Sequence, residues 1–178
     1  MSIEYNEDNL VEQATVDILA DIGWEIQTAW HNEIFGVNGN LGRENKSEVI
    51  LQKYLLVALE NLNPDLPQSA YKDAYFQIAG READKTLDRT NKEKYELIKS
   101  GVKVSFTNDK GELTKKTLKV FDFNNPDNNH FLAVRQLEVT GELYNRRPDV
   151  VGFVNGIPLV FFELKAHTRD LRHAYDDN

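Results

Sequence analysis

Asp149, Glu163 and Lys165 lie in the stretch RRPDVVGFVNGIPLVFFELK, Arg146 to Lys165, whose other residues are mostly those of a buried strand pair. A charge held away from water without compensation is costly, so ionised groups on such strands are paired, titrated or bound to metal. Two carboxylates and an ammonium converging at one end of an apolar sheet describe a site for a divalent cation. The carboxylates repel, a cation relieves the repulsion, and Lys165 lowers the remaining cost. Mg2+ suits such a site best, with Mn2+ able to substitute, because it takes hard oxygen ligands from one or two carboxylates and keeps waters that a substrate phosphate displaces. The chemistry this predicts is in-line hydrolysis of a phosphodiester.

Whether the three groups meet depends on the hairpin between them. A strict two-residue turn at Asn155-Gly156 pairs Asp149 with Phe162 and sends Glu163 and Lys165 to the opposite face, because side chains alternate with period two. A three-residue loop with Gly156 in the left-handed region puts all three on one face, and this is the expected turn. Pro158 falls at the first residue of its strand, where a missing ladder donor does least harm. Taken alone, E-x-K on a strand is a short pattern common by chance, and most instances are exposed pairs worth little. An aspartate behind a hairpin of fitting length, on a strand otherwise apolar, makes the pattern specific.

The formal net charge of the 178 residues is -8, which argues against a large non-specific nucleic-acid surface. Arg146, Arg147, Arg169 and Arg172 nevertheless gather around the same stretch, and a local basic rim that contacts DNA is expected there. With 40% hydrophobic residues the chain can bury one substantial core, so a single domain over 1–178 is the expectation. It has no cysteine, which removes disulfides, thiolate zinc sites and cysteine nucleophiles and is compatible with a reducing cytoplasm. No apolar run approaches the roughly 20 residues of a membrane helix, and the acidic start MSIEYNEDNL is unlike a signal peptide, so a cytoplasmic location is expected.

The elements that must position the site follow from periodicity. From Asp8 to Ile22 the residues Leu10, Val11, Ala14, Ile18, Leu19 and Ile22 recur at helical spacing up to Gly23, with Glu12 on the polar side or at the edge of the apolar face. WEIQTAWHNEIFGVNGNLGREN reads as strand-like pieces and loop. A helix from Ser47 must end before Pro64, another covers LPQSAYKDAYFQIAG, and Thr90 with Glu93 makes a capping-box start for a fourth that stops at Gly101. Beyond Gly101 the period is two: VKVSFT, NDKG and ELTKKTLKVFDF form a hairpin, FLAVRQLEVT is a strand, and RDLRHAYDDN starts a helix with no stop signal. The reading is α+β, helices first and a mostly antiparallel or mixed sheet after. The unfinished last helix suggests the amino-terminal part of a longer protein.

At these residues the sequence resembles the nuclease domain at the amino end of the type I restriction enzyme R subunit, a branch of the PD-(D/E)XK nucleases. Pro148-Asp149 corresponds to its PD and Glu163-Leu164-Lys165 to its E-x-K; GWEI, ALENLNP, FDFNNPDNNHF and VRQLEVTG resemble family signatures in the same order. The resemblance implies a restriction-endonuclease-like core of α/β/α kind, a mixed sheet flanked by helices with an additional helical N-terminal part. It implies that Asp149 and Glu163 hold Mg2+, that the backbone carbonyl of Leu164 is a further ligand, and that Lys165 orients the attacking water or stabilises the phosphate. Glu12 matches an acidic position on the first helix that completes such sites, and Gln136 lies in a Gln-containing strand. The Gln and Tyr of the family's following helix have only Asp177 or Asn178 here for the Gln. The resemblance further implies an ATP-driven motor beyond this region, methyltransferase and specificity subunits as partners, and double-stranded, unmethylated DNA as substrate.

Other motifs weigh less. His31-Asn32-Glu33 lacks the second histidine of an HNH nuclease, and GNLGRENKS is no phosphate loop because Lys46 does not follow a glycine. His167 and His173 are wrongly spaced for one metal, and Trp24 and Trp30 read as core residues. Two carboxylates also suit a glycosidase, but Lys165 and the arginines favour phosphate over sugar. Two rivals stand beside the nuclease reading: a catalytically silent module docking motor and methyltransferase subunits, and a stand-alone nuclease of the same fold.

Overall fold

The computed structural model describes residues 7–80, 86–108, 110–141 and 144–164, which form an α+β fold. They divide into two compact units, one from residues up to 49 together with 131 onward, the other from 50 to 130. Lys165, Arg169, Arg172, His167, His173 and the expected last helix lie outside the described residues.

In the first unit, helix α1 (Glu7–Asp21) leads through Gly23, at φ 92°, into strand β1 (Glu25–Thr28). A loop to residue 49 follows. The chain returns as β4 (Phe131–Arg135), the short β5 (Val139–Thr140) and β6 (Asn145–Arg146), then the hairpin of β7 (Val150–Val154) and β8 (Ile157–Phe162). The four-stranded sheet has the order β1-β4-β7-β8, with β1 parallel to β4 and the other pairs antiparallel. Alternation puts Ala133, Val150 and Phe162 on the face that α1 covers with Val16 and Leu19, and Trp24 and Ile26 complete this core. Each such aliphatic side chain contributes roughly 1.5–3 kcal/mol when fully buried. Gly152 is required here, because a Cβ on it would come within 2.9 Å of the Trp24 ring.

The apolar face of α1 differs from the expected one. Ile18 and Ile22 are exposed, and the buried stripe is Glu12, Val16 and Leu19, spaced four and three residues apart. A carboxylate heads that stripe because it has partners, described below.

The turn of the β7–β8 hairpin also differs. Asn155 and Gly156 both have positive φ, 51° and 77°, and Val154 faces Ile157, so this is the two-residue connection that Asn-Gly favours and not the three-residue loop. The register then shifts within β8: Phe153 faces Pro158, but Gly152 faces Val160, leaving Leu159 as an extra residue. This bulge performs the face change that the longer loop was expected to perform. Pro158 faces Phe153 on an edge strand, where its missing N–H is tolerated.

The second unit contains α2 (Gln52–Leu62), α3 (Gln68–Ala79), α4 (Leu87–Ser100) and the antiparallel pair β2 (Val102–Thr107) and β3 (Leu113–Leu118). Two helix starts move relative to expectation. Ser47 does not begin α2: its N–H and hydroxyl both bond the Asn45 side chain, and the Glu48 carbonyl is taken by Arg43, so the helix starts at Gln52. Helix α4 starts at Leu87, and Thr90 is already inside it, its N–H bonded to the Thr86 carbonyl. After β3, Asp122 fixes the turn by accepting from Asn124 N–H, Asn125 N–H and the Asn128 side chain. The Asn128 bond, foremost, and the Asn125 N–H hold its carboxyl below the usual range against burial.

Candidate active site

The site lies at the end of the sheet where β1 and β4 finish and β7 begins. Val150 faces Phe162, so the next step of the same register sets Asp149 opposite Glu163 with both side chains on one face. Asp149 is partly buried and held on three sides. The Leu164 N–H donates to Oδ2 at 2.6 Å, the Gln136 side chain reaches Oδ1 at 3.4 Å, and the Gln136 N–H donates to the Asp149 carbonyl at 2.9 Å. Leu164 thus meets Asp149 through its backbone N–H.

Glu12 is brought to the same end by α1. Its Oε1 accepts from Arg135 Nε at 2.7 Å and its Oε2 from Gln136 Nε2 at 2.8 Å. Arg135 also donates to Gln13 at 3.0 Å, fastening the first turns of α1 to the end of β4. Glu12 is only 5% exposed, so the paired guanidinium is what makes its burial tolerable. Gln136, at φ 52°, leaves the strand in the left-handed region. Its amide stands between Glu12 and Asp149 and donates to both.

Asp149, Glu163, Glu12 and Gln136 are therefore gathered at one end of one sheet. Among the described residues no group of three or more His, Asp or Glu is arranged to hold a metal ion. The donor set fits a hard cation that needs only one or two carboxylates and takes its other oxygens from water and phosphate.

The long loop after β1 borders this site. Arg43, fully buried, makes a two-pronged ion pair with Glu33 at 2.7 and 2.6 Å and donates to the Glu48 and Glu138 carbonyls, both at 3.1 Å. Arg43, from the stretch that superficially suggested a phosphate loop, serves this internal clamp. His31-Asn32-Glu33 is equally occupied, with His31 stacked on Trp30 and Glu33 on Arg43. Trp30 is not core: it is 41% exposed and carries the Arg147 guanidinium 3.7 Å from its ring centre. Glu138 bonds the Lys46 ammonium, which holds its carboxyl below the usual range against burial, with Arg147 and His31 adding to the effect. Sequence reasoning missed Arg135, although a polar Arg-Gln pair interrupting the apolar strand FLAV was a signal that the strand ends at a site.

These residues belong to an α+β unit with carboxylates collected at the end of a mixed sheet. The chain belongs to the family of the type I restriction enzyme R protein N terminus, whose model matches residues 4–177. It is 36% identical over 173 residues to the type I restriction enzyme HindI endonuclease subunit of Haemophilus influenzae, an alignment covering 95% of this chain and 16% of that protein. It is 31% identical over 183 residues to a putative type I restriction enzyme MjaIXP endonuclease subunit of Methanocaldococcus jannaschii, covering 97% of this chain and 16% of the relative. The chain thus spans a small part of the length of the relatives it matches. Among the described residues no helix is long and apolar enough to cross a membrane.

Proposed function

We propose that the chain is a PD-(D/E)XK endonuclease module that hydrolyses phosphodiester bonds of double-stranded, unmethylated DNA, within a cytoplasmic restriction enzyme. The observation that carries this reading is the bulge at Leu159, which turns a hairpin of the wrong parity into one with Asp149 and Glu163 facing each other. A structural hairpin has no need of that correction. Family membership supports the same reading, since the relatives are named endonuclease subunits.

On this reading Asp149 and Glu163, with the Leu164 carbonyl and Glu12, would hold Mg2+, for which Mn2+ can substitute. Bound there, the ion supplies Lewis-acid polarisation of a phosphate oxygen. Asp149 is preset by the Leu164 N–H and by Gln136, so its oxygens are oriented before any ligand arrives. Arg135 pairs with Glu12 and fixes it at the same end. Lys165 follows directly and would place its ammonium beside the attacked phosphate, stabilising charge that develops there. DNA delivery would belong to an ATP-driven motor and to methyltransferase and specificity subunits of the complete enzyme.

Crystals soaked in Mn2+ test the assignment through anomalous scattering. A peak between Asp149 and Glu163 that is lost in Asp149→Ala is the expected result. Its absence from the unaltered protein, or DNA cleavage that survives Lys165→Ala in the full-length enzyme, would overturn the nuclease reading in favour of a docking module.

A further inference from the structure

Beside the carboxylates, the loop after β1 and the end of β4 enclose an open cleft of about 270 Å³ walled by Trp30, His31, Lys46, Gln136 and Glu138. An adjoining hollow shares Lys46 and Glu138 and adds Arg146 and Arg147. Gln136 belongs both to the cleft and to the carboxylate cluster, so one surface runs from Arg147 to Asp149.

The charges on this surface are of two kinds. Glu33 is taken by Arg43 and Glu138 by Lys46. Arg146 and Arg147 are exposed, and among the described residues neither forms an ion pair. Each lies instead over an aromatic ring, Arg147 at 3.7 Å from the centre of Trp30 and Arg146 at 5.2 Å from that of Tyr144. A guanidinium stacked in this way is engaged through its face and keeps its in-plane N–H donors for a two-pronged grip on phosphate. Trp30 is further stacked with His31 at 4.7 Å, so its ring holds a cation and is not an open platform for a nucleobase.

We propose that Arg146 and Arg147, steadied by Tyr144 and Trp30, form a sequence-independent rail for the phosphodiester backbone of duplex DNA and lead one strand past Gln136 to Asp149. The proposal rests on the nuclease reading, and it assigns the Trp30 loop, remote in sequence from the carboxylates, to substrate binding.

The test is the salt dependence of binding to a fluorescently labelled DNA duplex, followed by anisotropy in EDTA so that no cleavage intervenes. Each phosphate contact contributes about 0.9 to the slope of log affinity against log salt. Arg146→Ala and Arg147→Ala are each expected to flatten that slope by about one contact. Trp30→Ala removes no charge yet is expected to flatten it too, whereas Trp30→Phe preserves it. Lys92→Ala on α4 makes the same charge change elsewhere and leaves the slope unaltered. Unchanged slopes in both arginine variants, no duplex binding at low salt, or tighter binding of a single strand than of the duplex would overturn the rail. Duplex binding with these slopes but no Mn2+ bound between Asp149 and Glu163 would instead remove the nuclease reading and leave the rail standing.

Discussion

A single left-handed residue lets two consecutive side chains serve one carboxylate. In regular strand, Arg135 and Gln136 would point to opposite faces; with Gln136 at φ 52° both reach Glu12. That conformation costs a residue with a Cβ about 1–2 kcal/mol. Gln136→Ala is therefore expected to lower stability by about 1–3 kcal/mol, through the donor lost from two carboxylates. Gln136→Gly loses the same donor but relieves the backbone, and should be more stable than the alanine variant by about 1 kcal/mol. Urea unfolding of the two proteins measures this, and equal midpoints would rule out the strain. Glu138 offers a pH test. Its pKa is depressed by Lys46 from an ordinary value of 4.5, so its contribution to stability is full above that pH and is lost as pH falls through the lower folded value. The stability gap between the unaltered protein and Lys46→Met should be constant near neutrality and close in acid. A gap that persists below the folded pKa would assign the effect to packing of the lysine stem.

At the scale of elements, the β8 bulge carries the site. Leu159 is the unpaired residue, so deleting it leaves Gly152 facing Val160 and Asp149 facing Glu163 across a strict two-residue hairpin. The variant should keep its circular dichroism and its Mn2+ binding measured by titration calorimetry; lost binding would show that the bend of the bulge, beyond the register, positions the carboxylates. The requirement behind this bulge was legible in the sequence, since Asp149, Glu163 and their apolar neighbours demand one face. Its location was not, because Asn-Gly satisfies a two-residue turn by itself and Leu159 carries no local mark of a bulge. Helix α3, the β2–β3 hairpin and the stop of α1 at Gly23 were legible because period and glycine agree there. The starts of α2 and α4 were misread where Ser47 and Thr90 carry capping chemistry that tertiary partners or an earlier turn pre-empt. Glu12 could not be placed from periodicity, which counts a carboxylate as polar regardless of the arginine waiting for it 123 residues away.

For the molecule as a whole, a net charge of -8 and a small cationic surface point to weak, local engagement of DNA. The chain alone is accordingly expected to leave supercoiled plasmid intact or to nick it slowly and without sequence preference in Mg2+. Rapid, complete cutting on an agarose gel would show that delivery by a motor is dispensable. The matched relatives are several times longer, and the hairpin is common ground on which they can be compared. Asp149 and Glu163 meet across a turn, a paired ladder and one unpaired residue, so a length change between them leaves both on one face where the turn or the bulge absorbs it, and moves one to the far side where the ladder must slip. Working members of the family should therefore vary the length of this hairpin at its turn or its bulge and not within the ladder, so that the place of a length change would serve to tell active copies from decayed ones.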